Sequence, residues 1–281
     1  MRRGANIVAV VLNWRDPKST RDCVDSLLQD EAIRVIHVVD NESSGELREI
    51  ASERVLVHEQ AKNLGFSRGV NVGLRESLKD NADAVLVINN DAVLAQGAIV
   101  QLLQTLSADD SIGLVAPVVI NPDGSPQSTG GRFRAHTAST TDRAGPSETN
   151  YLTWACVLIP RNTLARVGLL DEAFFMYWED VDYGLRVTDE GLGLKVVDSA
   201  TVVHAKSASH SRAGSAIDTY SAHGLVVLAR KRRGVLLFVG MPLRIIARLF
   251  RRLAGRRFDG ARAVIRGVRS GSREVIDAHE Y

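Results

Sequence analysis

Three carboxylates fall within four positions, Glu179, Asp180 and Asp182, directly after the aromatic run Phe174-Phe175-Met176-Tyr177-Trp178. Aromatic neighbours exclude water and raise a carboxyl pKa, which suits a general base working near neutral pH. A helix starting near Asp180 would also set these acids where the helix dipole favours negative charge. N-capping is therefore the plain alternative, for Asp182 above all. Asp171 and Glu172, just upstream, read as turn and cap.

A second set of polar residues ends apolar runs: Asn13-Trp14-Arg15, Asp40-Asn41, Asn89-Asn90-Asp91 and His204. Any one of them is ordinary turn chemistry, since Asn and Asp bond their own backbone. Four together indicate a site, because open α/β sheets bind ligands beyond the carboxyl ends of their strands. Asp91 follows Val85-Leu86-Val87-Ile88 almost directly. It either caps the next segment or holds Mg²⁺ or Mn²⁺, ions that take one or two protein carboxylates together with phosphate oxygens and water. His204 is the candidate second ligand; without Asp91 it would read as structural.

The elements that must position these groups follow from patterning. Continuous β-branched runs at 7–12, 35–39, 55–58 and 84–88 read as buried strands. Helical patterns after Ser19-Thr20, over 46–52 and over 63–79 separate them. Helices are expected at 97–106, 163–167 and 180–190, and strands at 113–119, 153–160 and 194–203. The fold class is α/β: a mostly parallel central sheet flanked by helices. Residues 121–149, rich in Ser, Thr, Gly and Pro, read as a long functional loop. Gly65, Gly69 and Gly73, four apart, give a helix a smooth face for the sheet. That is not the dinucleotide fingerprint, and residues 13–21 lack it too, which disfavours a nicotinamide oxidoreductase. No P-loop, zinc spacing or nucleophile elbow occurs.

The chain has 281 residues, 45% hydrophobic and 24% charged, which excludes a disordered chain or a coiled coil. Its net charge of +2 hides an uneven distribution. Residues 230–273 hold fourteen Arg and Lys against Asp259 alone, so that stretch carries +13 and the remainder −11. Leu243, Ile246, Leu249, Phe250 and Leu253 recur there at helical spacing among arginines. This reads as an interfacial helix meeting an anionic membrane surface. The alternative is a helix packed on the catalytic domain with a solvated basic face. Nucleic acid is disfavoured, because no aromatic interleaving or binding motif accompanies the arginines. Cys23 and Cys156 suit a reducing compartment. The first apolar run is too short for a secretory signal, and no run spans a bilayer. The expected location is cytoplasmic, peripheral on the inner face of the cell membrane.

Val10-Val11-Leu12-Asn13-Trp14, Val39-Asp40-Asn41-Glu42-Ser43, residues 63–73, Ile88-Asn89-Asn90-Asp91 and residues 174–186 occur in the order seen in family 2 glycosyltransferases. Residues 6–207 resemble the bacterial rhamnosyltransferase-like branch of that family. The resemblance implies a GT-A fold: a catalytic domain over 1–219, with a nucleotide-sugar half to about 95 and an acceptor half beyond it. Residues 220–281 then form a basic helical extension. It implies inverting transfer from a nucleotide-diphosphate sugar, L-rhamnose from dTDP-rhamnose in first place, to a glycan or polyprenyl-linked acceptor in cell-envelope polysaccharide synthesis. By the same resemblance Leu12, Asn13 and Asp40 would contact nucleobase and ribose, and Asn63, Arg68 and Asn71 would line the donor pocket. Asn90 and Asp91 stand at the DXD-type metal motif, and His204 at a further diphosphate or metal contact. Asp180, paired with Glu179, would be the base.

Two departures from the family pattern stand out. The metal motif reads Asn-Asn-Asp, without its first carboxylate. Trp154-Ala155 replaces a frequent Gly-Ala, so Trp154 either stacks on an acceptor sugar or fills core. A catalytically idle nucleotide-sugar-binding or scaffold protein is the rival reading. A two-carboxylate hydrolase is disfavoured because the acids cluster in sequence.

Overall fold

The computed structural model describes residues 5–205 and 214–273. β1 (Ile7–Asn13), β2 (Ile33–Asp40), β3 (Val55–Glu59) and β4 (Ala84–Asn89) pair in parallel, with α1 (Pro17–Leu28) and α2 (Phe66–Lys79) as crossovers. The run Val8-Ala9-Val10-Val11 is fully buried, as a strand covered on both faces requires. α2 lies on β1 because its glycines permit it. A Cβ on Gly69 would come within 2.5 Å of Leu12, and one on Gly73 within 2.4 Å of Val10.

β5 (Ala92–Leu94), α3 (Ala98–Ala108) and β6 (Ile112–Ile120) follow, then β7 (Pro126–Ser128), β8 (Arg132–Arg134) and β9 (Ser139–Thr141). The chain continues through β10 (Cys156–Pro160), α4 (Arg161–Val167), α5 (Glu179–Asp189) and β11 (Gly193–His204). The central sheet runs β3-β2-β1-β4-β10-β6-β11-β5, with β7 joined to β6. β10 runs antiparallel to β4 and β6, and β5 antiparallel to β11, so the sheet is mixed around a parallel majority.

The loop expected over 121–149 contains the three-residue strands β7, β8 and β9, each too short for alternation to register. The helix expected over 46–52 is a single 3₁₀ turn at Arg48–Ile50. Three helices close the described chain: α6 (Ala216–Arg232), α7 (Val235–Ala254) and α8 (Phe258–Arg273). The boundary expected at 219 falls inside α6. That helix shares one core with residues 133–181, in which Phe133, Tyr151, Phe174 and Trp178 meet Leu225 and Leu228, with Leu237 of α7 beside them.

Candidate active site

The parallel strands bring Asn13, Asp40 and Asn89 to one rim, Asn13 opposite Asp40 and Leu12 opposite Asn89. Buried amides there need partners, and they find them in each other. Asn13 Nδ2 donates to Asp40 Oδ1 (2.7 Å), and Asn13 Oδ1 accepts from the Thr20 hydroxyl (2.8 Å). Asn90 Nδ2 donates to Thr20 Oγ1 (3.1 Å). Asn41 Nδ2 donates to Asn63 Oδ1 (3.0 Å), and Asn41 Oδ1 accepts from the Leu64 N–H (2.7 Å). Asn13 and Asn90 therefore brace the rim with inward-facing side chains. Asn41, half of the Asp40-Asn41 strand end, and Thr20, which the sequence places only at a helix start, complete the lattice.

Asp91 and His204 meet because β5 pairs with the end of β11, His204 opposite Ala92. His204 Nε2 stands 3.1 Å from Asp91 Oδ1, and Asp91 Oδ2 is buried with no hydrogen-bond partner among the described residues. An orphaned carboxylate oxygen beside an imidazole fits a divalent cation. Among the described residues no group of three His, Cys, Asp or Glu side chains gathers as a metal cage. The remaining ligands would be diphosphate oxygens and water, the habit of Mg²⁺ and Mn²⁺. His204 Nδ1 meets Gln127 Oε1 at 2.6 Å, and Gln127 Nε2 donates to Asn121 Oδ1 (2.9 Å). Nothing in the Ser/Gly-rich stretch marks Gln127 in advance; only the β6–β7 pairing brings it here.

Glu179 and Asp180 open α5, and both residues before them take left-handed backbone conformations, Tyr177 at φ 70° and Trp178 at φ 74°. Two consecutive non-glycine residues in that region persist only where packing over-determines them. Here Phe133 meets the Trp178 ring edge-on at 6.0 Å, and the Trp178 indole N–H donates to the Ser221 carbonyl (2.9 Å). Burial pushes Asp180 up to about 7; the Val181 N–H bond opposes the shift and the charge of Asp142 adds to it. Glu179, more deeply buried, is raised well above the carboxylate range by burial and by Asp180. Such a pair keeps one proton and leaves Asp180 able to titrate near neutrality. Asp182 does not cap α5: it accepts from Arg186 Nε (2.8 Å) and faces Arg232.

Other candidates take different places. Asn71 is buried, and its amide bridges the Leu170 carbonyl (2.9 Å) and Glu172 (3.1 Å), which holds the segment before the aromatic run. Glu172 pairs with Arg75 and, at 3.6 Å, with the exposed Arg68. Leu12 packs under Gly69. Trp154 fills core, edge-on to Phe66 (6.3 Å) and Tyr183 (5.2 Å).

Two contacts join the carboxylate pair to the strand rim. The Phe66 N–H, at the start of α2, donates to the Phe175 carbonyl (2.6 Å). Tyr151 packs on Gly184 of α5, and five residues on Cys156 pairs with Ile88, three residues before Asp91. Both links fall at the carboxyl-end side of the strands, the end of the sheet at which the Asp91–His204 pair stands. A broad depression lined by Asn6, Arg34, Arg54 and Leu103 lies at the opposite, amino-terminal ends of the strands, away from all these groups.

The sequence pattern of glycosyltransferase like family 2 matches residues 5–217. The chain belongs to this family. A curated family relative, the low-salt glycan biosynthesis hexosyltransferase Agl10 of Haloferax volcanii, is 26% identical over 75% of this chain and 71% of its own length. The N-acetylglucosaminyl-diphospho-decaprenol L-rhamnosyltransferase of Mycobacterium tuberculosis is 32% identical over 53% of this chain and 58% of its own. Among solved structures, the mannosyltransferase PcManGT of Pyrobaculum calidifontis, in complex with GDP-Man and Mn²⁺, superposes with a TM-score of 0.60 at 15% identity. That match covers 98% of this chain and 77% of that one. GalNAc-T7 with UDP, GalNAc and Mn²⁺ gives 0.60 at 12% identity, over 83% of this chain and 52% of that one. This family 2 glycosyltransferase thus has the GT-A fold, carrying further helices beyond the family region.

Proposed function

We propose that this glycosyltransferase moves a sugar, L-rhamnose from dTDP-rhamnose in first place, with inversion onto a polyprenyl-linked glycan acceptor at the inner face of the cell membrane. Its role would lie in cell-envelope polysaccharide synthesis. The observation that carries the reading is a carboxyl poised near neutrality, Asp180, on an element tied to the end of the sheet that carries the Asp91–His204 pair. In the reaction the acceptor hydroxyl attacks the anomeric carbon as the bond to the diphosphate oxygen breaks, and Asp180 takes the hydroxyl proton. Glu179 stays protonated and lowers the local charge. Asp91 and His204 would hold Mg²⁺ or Mn²⁺, which when bound neutralises the departing diphosphate as a Lewis acid. The sugar and the lipid-linked acceptor rest on the activity that names the mycobacterial relative and on the name of a 21% identical Shigella flexneri relative, dTDP-rhamnosyl transferase RfbF.

The test is a thermal-shift panel of dTDP-, UDP- and GDP-sugars with and without Mn²⁺, followed by transfer to a polyprenyl-diphosphate sugar. A ligand that binds only the folded state raises the melting point. dTDP-rhamnose should raise it most and should be consumed only when acceptor is present. A panel with no shift would sink the donor reading. Asn89 in place of a carboxylate supports a rival, an idle nucleotide-sugar binder, which a shift without turnover would select.

A further inference from the structure

α7 has two faces of opposite destiny. On the inner one, Leu237 is buried, and Gly240 lies so close to the 135–138 backbone that a Cβ would come within 2.3 Å of the Ala135 carbonyl oxygen. Arg248 and Arg252 close on the buried Asp218 of α6, each Nε at 2.8 Å from a carboxylate oxygen. The outer face is apolar instead of polar. Leu236, Val239, Leu243, Ile246, Phe250 and Leu253 recur every three or four residues and are between 49% and 72% exposed. Phe258 and Ile265 of α8 are exposed as well. An apolar stripe of this length left in water marks a surface that meets another phase or partner.

The surrounding charge decides which. Arg244, Arg251, Arg256 and Arg257 are exposed with no carboxylate partner among the described residues. From 230 to 273 the only acid is Asp259. A second copy of α7 would set arginine against arginine, with no acids along the seam to pair them. No helix among the described residues is long and apolar enough to cross a membrane. A basic amphipathic helix of this kind lies in the interface plane, its apolar side among acyl chains and its cations at anionic headgroups.

We propose that the outer stripe of α7 is a docking surface for an anionic lipid bilayer, and that it holds the Glu179–Asp180 end of α5 toward that bilayer. The link to the site is short: α7 rests on residues 135–138, Phe133 of the same hairpin packs on Trp178, and Glu179 and Asp180 come next. This deepens the transferase reading and rests on it for the identity of the acceptor, but the docking itself needs neither donor nor acceptor.

The test is sedimentation of the full chain with vesicles of phosphatidylcholine containing about a third phosphatidylglycerol. The chain should pellet with these vesicles, stay in solution with pure phosphatidylcholine, and be released by salt. The double variant Ile246→Glu/Phe250→Glu should lose vesicle affinity at least tenfold while transferring to a soluble acceptor at the intact rate. If the intact chain stays in the supernatant, or the variant pellets equally well, the docking surface is wrong. It is equally wrong if the intact chain is a dimer that ignores vesicles and the variant is a monomer. A chain that pellets but transfers no sugar would instead sink the transferase reading and leave the surface standing.

Discussion

His204 Nε2 faces Asp91 Oδ1 across 3.1 Å while its other ring nitrogen meets the carbonyl of Gln127. The Gln127 amide donates to Asn121, so its oxygen points at the ring and fixes the proton on Nδ1. Nε2 then accepts from Asn89 Nδ2 (3.3 Å) beside the Asp91 carboxylate oxygen. Asp91 and His204 are the two side chains that would hold Mg²⁺ or Mn²⁺ here, the remaining ligands coming from phosphate oxygens and water.

Gln127→Leu should therefore weaken Mn²⁺ binding about tenfold, the lower end of what outer-shell partners contribute. Gln127→Glu keeps an acceptor for Nδ1–H and should retain most of the affinity. Electron paramagnetic resonance titration of Mn²⁺ in the presence of dTDP measures both. Equal affinity in Gln127→Leu and the intact chain would remove Gln127 from the site.

Asp180 must be ionised to accept a proton, and burial holds its pKa at about 7. Activity should accordingly rise with pH through neutrality. Because Asp142 adds to the upward shift, Asp142→Asn should move this limb to lower pH, whereas a merely structural role would leave its midpoint in place. Asp180→Asn should abolish transfer. A carboxyl raised in the folded state stabilises it at low pH and loses that contribution as pH rises past its folded pKa. Asp180→Asn should hence melt higher than the intact chain at pH 8. Residual turnover above about 1% of the intact rate would rule Asp180 out as base.

Much of this arrangement is legible in the chain. Strand ends carry their own punctuation, and Asn13, Asp40, Asn89 and His204 close apolar runs whose parallel pairing forces them to one rim. Nothing local announces how those groups are used. That the amides of Asn13, Asn71 and Asn90 sit in buried places and bond to protein partners is legible only in the structure. Gln127 and Asp142 are illegible because three-residue strands carry no period, so their positions depend wholly on tertiary pairing. The left-handed pair Tyr177-Trp178 is hidden for a related reason: neither residue type favours that conformation, and only the packing of Phe133 and α6 holds it. The tail reads as either membrane-facing or packed on the domain. α7 packs one face and exposes an apolar other, because helical spacing separates two stripes that a linear reading merges.

His37 is buried and bonded through both ring nitrogens, to His58 (2.9 Å) and Asp80 (2.9 Å). Burial lowers its pKa against the pull of Asp80, and His58 is lowered by burial and by His37. Both rings are thus held neutral in the folded protein, while in the unfolded chain they protonate near pH 6.5. The stability they confer is complete above that value and is lost as pH falls toward the depressed folded pKa. Melting temperature should drop between pH 7 and pH 5.5, and His37→Gln, although less stable at pH 7, should show a shallower decline. Parallel curves for the two proteins would contradict this.

Gly65 and Gly97 both have positive φ, 80° and 77°, but Gly97 (ψ −2°) is left-handed helical, whereas Gly65 (ψ −178°) lies in a region that essentially only glycine occupies. A Cβ on Gly97 meets nothing within 4 Å, whereas one on Gly65 would lie 2.5 Å from the Phe175 carbonyl oxygen. Gly97→Ala should cost only the conformational penalty of about 1–2 kcal/mol and leave turnover intact. Gly65→Ala meets a steeper backbone penalty, because its ψ lies outside the left-handed helical well, and must also push away the backbone that accepts the Phe66 N–H. Overpacking of that kind adds about 1–3 kcal/mol. Because Phe175 leads within four residues to Glu179, the displacement should reach the base, and kcat should fall at least tenfold with a smaller change in KM for the donor. Urea denaturation and steady-state kinetics on both variants separate the two costs. If Gly65→Ala loses no more stability and activity than Gly97→Ala, the coupling between the glycine-rich helix entry and the carboxylate pair does not exist.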